Sequence, residues 1–265
     1  MRVEPVAVIG AGPAGLAASI QLKRYGIAPY VFESGNIGGL LNNSGNVENY
    51  PGFPEGITGP ELIQRIEKQI ANLGISITND AVTSLDIESG NFILTTQTKN
   101  YRFRYVLMAS GTKPKKLPAH LSIPEEDRRI SYDIRHLMNI SGYRIIIIGA
   151  GDAAFDMALT LAKHNEIIIL GRSEIPSCLP LLADRVAEMA AITYCRSALI
   201  LRVDCREERN LKITYSSPAG ESFTIADRLV IAVGREPQRD YLTGSIIKEW
   251  HALESAERIF QAGDI

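Results

Sequence analysis

The chain has 265 residues and a formal net charge of -2, with 45% hydrophobic and 22% charged residues. This composition is typical of a globular protein with material for one large or two medium domains, and we expect two. The nearly balanced charge argues against nucleic acid or an anionic membrane as the principal partner, and no apolar run is long enough to cross a bilayer.

The start of the chain and its cysteines both indicate a reducing compartment. An apolar strand follows Met1 almost at once, which leaves no room for a cleavable targeting sequence. The three cysteines, Cys178, Cys195 and Cys205, are odd in number and no two of them form a CxxC pair. A disulfide framework is therefore not expected, and we predict a cytoplasmic protein.

Residues 6–34, VAVIGAGPAGLAASIQLKRYGIAPYVFES, contain a strand, a glycine-rich turn, a helix, a second strand and an acid. The apolar run at 6–9 predicts the first strand, and a helix is predicted over residues 13–25. The turn has the GxGxxG spacing, with glycines at Gly10, Gly12 and Gly15. Glu33 closes the second strand, at 30–32, where a carboxylate can accept both hydroxyls of an adenosine ribose. This unit predicts a dinucleotide site with the pyrophosphate at the helix N-terminus.

The same unit occurs again at residues 144–172, RIIIIGAGDAAFDMALTLAKHNEIIILGR. Strands are predicted at 145–148 and 167–170, with a helix to about His164 between them. The turn positions of the second fingerprint are Gly149, Gly151 and Ala154. Asp152, at the start of the helix, is interpreted as a helix cap.

The second copy ends on a base where the first ends on an acid. Arg172 lies as far from its first glycine as Glu33 does, and a guanidinium neutralises a 2'-phosphate that a glutamate repels. We therefore predict FAD in the first unit and NADPH in the second. NADH is possible, because Ser173 and Glu174 follow Arg172 in place of further basic residues.

Two similar segments mark the places where the chain passes between domains. VLMASGTKPKKLP, residues 106–118, and LVIAVGREPQ, residues 229–238, are each an apolar strand followed by glycine and proline-containing turn residues. The second unit is then an insert. We predict a discontinuous FAD-binding domain, residues 1–113 and 236–265, and an NAD(P)H-binding domain at 114–235. The predicted fold is α/β with two Rossmann-like domains, the NAD(P) domain inserted into the FAD domain.

Alternating polar and apolar residues predict hairpin strands outside these two units. One such segment is FILTTQTKNYRFRYVLM, residues 92–108, and the other is ESFTIADRLVIAV, residues 221–233.

Six motifs in order resemble the low-molecular-weight thioredoxin reductase group of FAD/NAD(P)H flavoproteins, class II of the pyridine nucleotide-disulfide oxidoreductases. They are GAGPAG, GGLLNNSGNVENYPGFPEGITGPEL, ASGTKP, GAGDAA, AVGREP and AGD. The resemblance covers nearly the whole chain. It implies an NAD(P)H-dependent flavoprotein oxidoreductase with FAD and NADPH as cofactors, a small redox carrier protein as partner, and a homodimer.

The resemblance also implies the cofactor contacts. The FAD contacts carry over onto Gly10, Gly12, Ala14, Glu33, Gly39, Leu40, Asn49, Val82, Gly111 and Asp264. The NADP contacts carry over onto Gly149, Gly151, Asp152, Ala153, Arg172 and Gly234. Leu40 replaces a common glutamine, and the second and third basic residues usual after the second strand are absent. The group continues past the AGD motif into a helix that completes the flavin pocket, so weaker FAD retention is expected of a chain ending at Ile265.

The redox CxxC of thioredoxin reductases is missing from the segment ISYDIRHLMNISGYR. Either residues 132–135 or residues 133–136 would take its place, and neither alternative contains a thiol. In this respect the chain is similar to the thioredoxin-reductase-like ferredoxin-NADP reductases, whereas NVENYPGF and SGTKPKKLP are more similar to thioredoxin reductase itself. Tyr132 and His136 would then lie near the flavin, where His136 could stabilise the reduced ring or donate a proton. The alternative for His136 is a surface histidine at a domain hinge.

Three functions follow as hypotheses. The leading one is a reductase that takes a hydride from NAD(P)H onto FAD and delivers electrons to an external acceptor such as ferredoxin or flavodoxin. The second is a thioredoxin or disulfide reductase that uses thiols of its partner, and the third is a non-catalytic nucleotide-binding or sensor module. No metal site is expected, since His120, His164 and His251 lack metal-ligand spacing.

Overall fold

The computed structural model describes residues 2–118, 121, 123–124, 126–206 and 210–265. His120 lies outside the described residues. The α-helices are α1 (Pro13–Arg24), α2 (Gly59–Asn72), α3 (Asp152–Leu161), α4 (Pro180–Glu188) and α5 (Gly244–Ser255). Short 3-10 helices are found at Gly39–Asn43 and Arg135–Leu137.

The strands follow in chain order. They are β1 (Val3–Ile9), β2 (Pro29–Glu33), β3 (Ile77–Asn79), β4 (Val82–Glu88), β5 (Asn91–Thr96), β6 (Asn100–Met108), β7 (Thr112–Pro114), β8 (Ile130–Ser131), β9 (Arg144–Ile148), β10 (Glu166–Leu170), β11 (Ile192–Cys195), β12 (Leu199–Arg206), β13 (Asn210–Ser217), β14 (Gly220–Ala226), β15 (Arg228–Ile231), β16 (Arg235–Pro237) and β17 (Ile259–Gln261).

The chain divides into two compact units. The first is formed by Met1–Asn42, Ile57–Lys113 and Glu236–Ile265, and the second by Asn43–Gly56 and Pro114–Arg235. The division differs from the predicted domain boundaries at residues 43–56, which belong to the second unit. The described residues contain no helix that is both long and apolar enough to cross a membrane.

The first unit is built on a mixed sheet with the strand order β3-β2-β1-β6-β5-β4, in which β17 also pairs with β6. β1 runs parallel to β2 and β6, whereas β5 runs antiparallel to β4 and β6. The β5–β6 pair is the hairpin predicted at 92–108. Successive residues of β1 are buried on opposite faces, with Ala7 and Ile9 in one apolar cluster and Val8 in another. Because alternate side chains of β1 are buried on opposite faces of the sheet, consecutive residues of this strand are all apolar.

The second unit contains a parallel sheet with the order β11-β10-β9-β15-β8. β9 again alternates between two apolar clusters: Ile145 and Ile147 pack with α3, while Ile146 and Ile148 pack with the antiparallel sheet β12-β13-β14. Both faces of the central strands are therefore covered, as the four successive isoleucines require.

The prediction of hairpin strands at 221–233 is confirmed for β14, which forms a hairpin with β13, and is wrong for β15. β14 pairs with β13 in the antiparallel sheet, and β15 pairs with β9 and β8 in the parallel sheet. Asp227 alone separates β14 from β15, which is too short for the two-residue turn of a hairpin. Its carboxylate accepts a hydrogen bond from the Arg144 N–H at 2.8 Å, so the chain is held where it passes from one sheet to the other.

Candidate functional site

The glycine turn of the first unit is packed against the backbone of a neighbouring segment. Gly10 has a φ of +105°, and a Cβ there would lie 2.2 Å from the carbonyl oxygen of Ala109. A Cβ on Gly15 would lie 2.0 Å from the carbonyl oxygen of Gly10. Only glycine fits these two positions. Gly12 differs, because a Cβ there would meet nothing within 4 Å, and its open side is where a ligand can approach the backbone.

Helix α1 begins at this open side without a side-chain cap. Gly12 is its N-cap residue, and Pro13 occupies the first turn. The N–H groups of the first turn and the positive end of the helix dipole are therefore available to an anion. A pyrophosphate fits this arrangement, since the space that a Cβ on Gly12 would fill is free.

Glu33 lies at the end of β2, beside the glycine turn. One carboxylate oxygen accepts a hydrogen bond from the Ala11 N–H at 2.8 Å, and the other accepts one from the Gly35 N–H at 2.8 Å. A carboxylate offers about four lone-pair sites, so both oxygens can still accept ribose hydroxyls. The sequence analysis did not predict a role for Ala11 or Gly35. Ala11 lies inside the glycine fingerprint and Gly35 lies two residues after Glu33, and these positions could have indicated that both contact the Glu33 carboxylate.

Two further segments of the first unit reach the start of α1. The Gly38 N–H donates to the Ala11 carbonyl at 2.8 Å, and a Cβ on Gly39 would lie 3.6 Å from the Gly12 Cα. A Cβ on Gly263 would lie 3.0 Å from the Ala14 Cβ, which brings Asp264 to the same helix end. The predicted FAD contacts that converge here are Gly10, Gly12, Ala14, Glu33, Gly39 and Asp264.

The other predicted FAD contacts are spread more widely. Leu40 is exposed and follows Gly39. Val82 begins β4, three residues after the end of β3, where Asn79 pairs with Glu33. Gly111 has a φ of +64°. Asn49 is exposed and lies in the segment that belongs to the second unit.

The second unit repeats the glycine turn. Gly149 has a φ of +139°, and a Cβ there would lie 2.2 Å from the carbonyl oxygen of Ala232. A Cβ on Gly10 would lie equally close to the carbonyl oxygen of Ala109. Gly151 is the N-cap residue of α3 and provides no side-chain cap. Ala154, in place of the third glycine, is fully buried. This helix N-terminus is open to an anion in the same way as that of α1.

The interpretation of Asp152 as a helix cap is wrong. Asp152 is the first residue of α3, and its carboxylate accepts a hydrogen bond from the Leu179 N–H at 2.7 Å. Leu179 is the N-cap residue of α4. The Ser177 N–H also donates to the Ala150 carbonyl at 2.8 Å. Asp152 thus ties the chain before α4 to the glycine turn instead of satisfying N–H groups of its own helix.

The predicted NADP contacts lie on the loops that follow the parallel strands. Ala153 is exposed in the first turn of α3, and Arg172 is exposed just beyond β10. Within the described part of the chain, Arg172 has no ion pair or hydrogen bond. Gly234 follows β15 with a φ of +106°, and its carbonyl accepts from the Lys115 N–H at 3.0 Å. The carboxyl ends of parallel strands are where nucleotides bind in such sheets.

Tyr132 and His136 both lie in the second unit. Tyr132 is partly buried against the apolar cluster beneath the antiparallel sheet. His136 lies in the 3-10 helix Arg135–Leu137, is half exposed, and places Nδ1 3.6 Å from a carboxylate oxygen of Asp133. The thiol-free segment therefore offers an imidazole that a neighbouring carboxylate can orient.

All three cysteines are unbonded thiols. Burial raises the pKa of Cys178 and of Cys195. Burial also raises the pKa of Cys205, and so does Asp127, whose carboxylate accepts a hydrogen bond from the Cys205 thiol at 2.9 Å. Thiolates, which are the reactive form, are disfavoured at each position.

Two Rossmann-like units on one chain, each with a glycine turn leading into an uncapped helix, define the class of two-nucleotide oxidoreductases. The family model described as pyridine nucleotide-disulphide oxidoreductase matches residues 4–265. The chain belongs to the pyridine nucleotide-disulphide oxidoreductase family. The predicted membership of this family is confirmed, and the family implies the use of FAD and NAD(P)H.

Individual relatives agree with this assignment. The chain is 26% identical over 280 residues to the bifunctional thioredoxin reductase/thioredoxin of Mycobacterium leprae, covering 99% of this chain and 60% of that protein. It is 27% identical over 287 residues to NADPH-dependent thioredoxin reductase 3 of Arabidopsis thaliana, covering 99% of this chain and 54% of the plant protein. The chain therefore spans less than two thirds of the length of either relative.

The fold is that of solved thioredoxin reductases. The crystal structure of the Lactococcus lactis enzyme superimposes with a TM-score of 0.86 at 22% identity, with 98% of this chain and 90% of that chain covered. This likeness confirms the predicted α/β fold with two Rossmann-like domains.

Proposed function

We propose that the chain is an FAD-dependent NAD(P)H oxidoreductase that delivers electrons to an external acceptor protein without a dithiol of its own. The observation that carries the proposal is the pair of uncapped helix N-termini, one beside the acid Glu33 and the other beside the base Arg172. When bound, the two nucleotides supply hydride transfer from nicotinamide to flavin. The protein's part is to hold them and to choose the acceptor.

FAD is assigned to the first unit. The N–H groups at the start of α1 would hold the pyrophosphate, and Glu33, already fixed by two backbone N–H groups, would accept the ribose hydroxyls. Asp264 and Gly39, which lie at the same helix end, would contact the remainder of the cofactor. Asn49, Val82, Gly111 and Leu40 complete the proposed set, as the family resemblance implies.

NADPH is assigned to the second unit. The start of α3, with Gly149, Gly151 and Ala153, would hold the pyrophosphate. Arg172 is unpaired among the described residues and is placed beyond β10, where the ribose 2'-position lies in this fold. A guanidinium there favours NADPH over NADH.

The external acceptor is supported by the chemistry of the thiols. Residues 132–136 contain none, and the pKa of each of the three cysteines is raised. A small carrier that accepts electrons without thiol exchange, such as ferredoxin or flavodoxin, fits this better than a disulfide substrate. Tyr132 and His136 are proposed to act beside the flavin, with Asp133 orienting the His136 imidazole.

Arg172→Ala should cost about 1.5 to 3 kcal/mol of NADPH affinity, the loss of a charge-assisted contact to phosphate, and much less of NADH affinity. Titration of the flavin-loaded protein with both dinucleotides measures this. Equal losses for the two dinucleotides would show that Arg172 does not bind the 2'-phosphate.

Flavin bleaching under anaerobic conditions tests the proposal as a whole. The holoprotein should lose its yellow colour on addition of NADPH and regain it on addition of ferricyanide, ferredoxin or flavodoxin. A flavin that NADPH leaves oxidised would instead favour the non-catalytic nucleotide-binding module.

A further inference from the structure

A second arginine lies beside Arg172 although it is distant in the sequence. β11 runs parallel to β10, with Cys195 opposite Leu170. Beyond the strand ends, the Gly171 N–H donates to the Cys195 carbonyl at 3.0 Å, and the Ala198 N–H donates to the Gly171 carbonyl at 2.8 Å. Residues 195–198 therefore run alongside the loop that carries Arg172, and Arg196 lies between the two residues that bond Gly171.

Tyr194 contacts the loop that carries Arg172 and is sensitive to the charge of Arg196. The Tyr194 hydroxyl donates to the Ser173 carbonyl at 3.2 Å, and it would lie 2.5 Å from a Cβ on Gly171. Burial raises the pKa of Tyr194, and the positive charge of Arg196 opposes that rise. The guanidinium of Arg196 is therefore within electrostatic reach of a phenol that contacts the residues on both sides of Arg172.

Neither arginine forms an ion pair with another residue that the structure describes. Arg172 and Arg196 are both exposed, and neither has an ion pair or hydrogen bond in the described ranges. Of the nearby carboxylates, Asp152 is engaged by the Leu179 N–H. Glu174 is exposed, two residues after Arg172. Both cations are therefore available to an anion that binds at this loop.

We propose that Arg196 is a second ligand of the adenosine 2'-phosphate, acting with Arg172. The inference rests on the proposed use of NADPH by the second unit. A phosphate monoester carries a charge of about -1.5 to -2 at neutral pH, so one arginine leaves it partly uncompensated. Ser173 and Glu174 supply no further base after β10, and the neighbouring strand β11 provides one instead.

Adenosine 2',5'-bisphosphate and 5'-AMP differ only in the 2'-phosphate, so the difference between their affinities measures what the 2'-phosphate contributes to binding. Calorimetric titration of the flavin-loaded protein with both, at one low ionic strength, gives the two affinities. Arg196→Ala should weaken the bisphosphate about tenfold and leave 5'-AMP unchanged, while Arg196→Lys, which keeps the charge but loses the planar fork, should fall between. Arg202→Ala is the matched control, since Arg202 is an exposed arginine paired with Asp204 on β12; it should alter neither affinity.

The outcomes separate this inference from the proposed function. The role of Arg196 alone would be overturned by one pattern of results. In that pattern the parent protein prefers the bisphosphate, Arg172→Ala removes the preference, and Arg196→Ala keeps it. A parent protein that binds both nucleotides equally would overturn the NADPH assignment and the inference with it. Equal weakening of both nucleotides by Arg196→Ala would also overturn it, because the residue would then not act at the 2'-phosphate.

Discussion

Gly10→Ala should destabilise the first unit by about 2 to 6 kcal/mol, the combined cost of a positive φ at a non-glycine residue and of overpacking. Gly10 has a φ of +105°, and the new Cβ would lie 2.2 Å from the Ala109 carbonyl oxygen. Because that neighbour is backbone, no side chain can move to make room. Chemical denaturation, followed by flavin release and by circular dichroism, measures the loss.

Gly12→Ala is the matched control for Gly10→Ala. Gly12 has an extended backbone, with φ at -73° and ψ at 177°, and no atom lies within 4 Å of its would-be Cβ. Its stability without cofactor should fall by only about 1 kcal/mol, since alanine is a poorer N-cap residue than glycine, whereas FAD should bind more weakly because the methyl group fills the space assigned to the pyrophosphate. Two variants with the same loss of stability would contradict the packing argument, and a Gly12→Ala protein with normal FAD affinity would contradict the placement of the phosphates.

Glu33→Ala should weaken FAD binding by about 3 to 6 kcal/mol, since two charge-assisted hydrogen bonds to the ribose are lost at about 1.5 to 3 kcal/mol each. The substitution also frees the Ala11 and Gly35 N–H groups, which the carboxylate now holds at 2.8 Å. NADPH binding by the second unit should be unchanged. Flavin retained through gel filtration, together with the dissociation constant for FAD, gives the result.

Glu33→Gln distinguishes charge from shape at this position. Glutamine keeps one acceptor oxygen for the Ala11 N–H but presents an NH2 group, a donor, on its other side. Its FAD affinity should fall between those of the parent and Glu33→Ala. If Glu33→Ala retained its flavin as well as the parent does, the assignment of FAD to the first unit would be wrong.

The two Rossmann-like units could be predicted from the sequence because their signals are local. An apolar strand, a glycine turn and an amphipathic helix follow one another directly, and the steric demands of Gly10 and Gly149 are met within the same unit. The prediction of helix 13–25 differs from the observed Pro13–Arg24 by only one residue. The strand-end residues Glu33 and Arg172 follow from the same spacing.

The remaining features depend on contacts between distant parts of the chain. Residues 221–233 alternate in polarity as a hairpin does, yet Asp227 separates strands of two different sheets. Asp152 has the residue type of a cap, but Gly151 occupies the N-cap position and the Asp152 carboxylate accepts from the Leu179 N–H. Arg196 carries no motif, and only the pairing of β11 with β10 brings it to Arg172. Such partners are set by tertiary packing, which local patterns do not encode.

Thioredoxin reduction by a cysteine-free variant tests the central claim most directly. The parent protein and the variant carrying Cys178→Ser, Cys195→Ser and Cys205→Ser are both loaded with FAD and supplied with NADPH. Ferricyanide reduction and thermal unfolding serve as controls for cofactor loading and folding. Both proteins should reduce ferricyanide at similar rates and leave thioredoxin nearly unreduced. Rapid thioredoxin reduction by the parent would contradict the central claim: loss of that activity in the variant would assign it to the protein's own thiols, and its survival would show a thiol-independent route to disulfides.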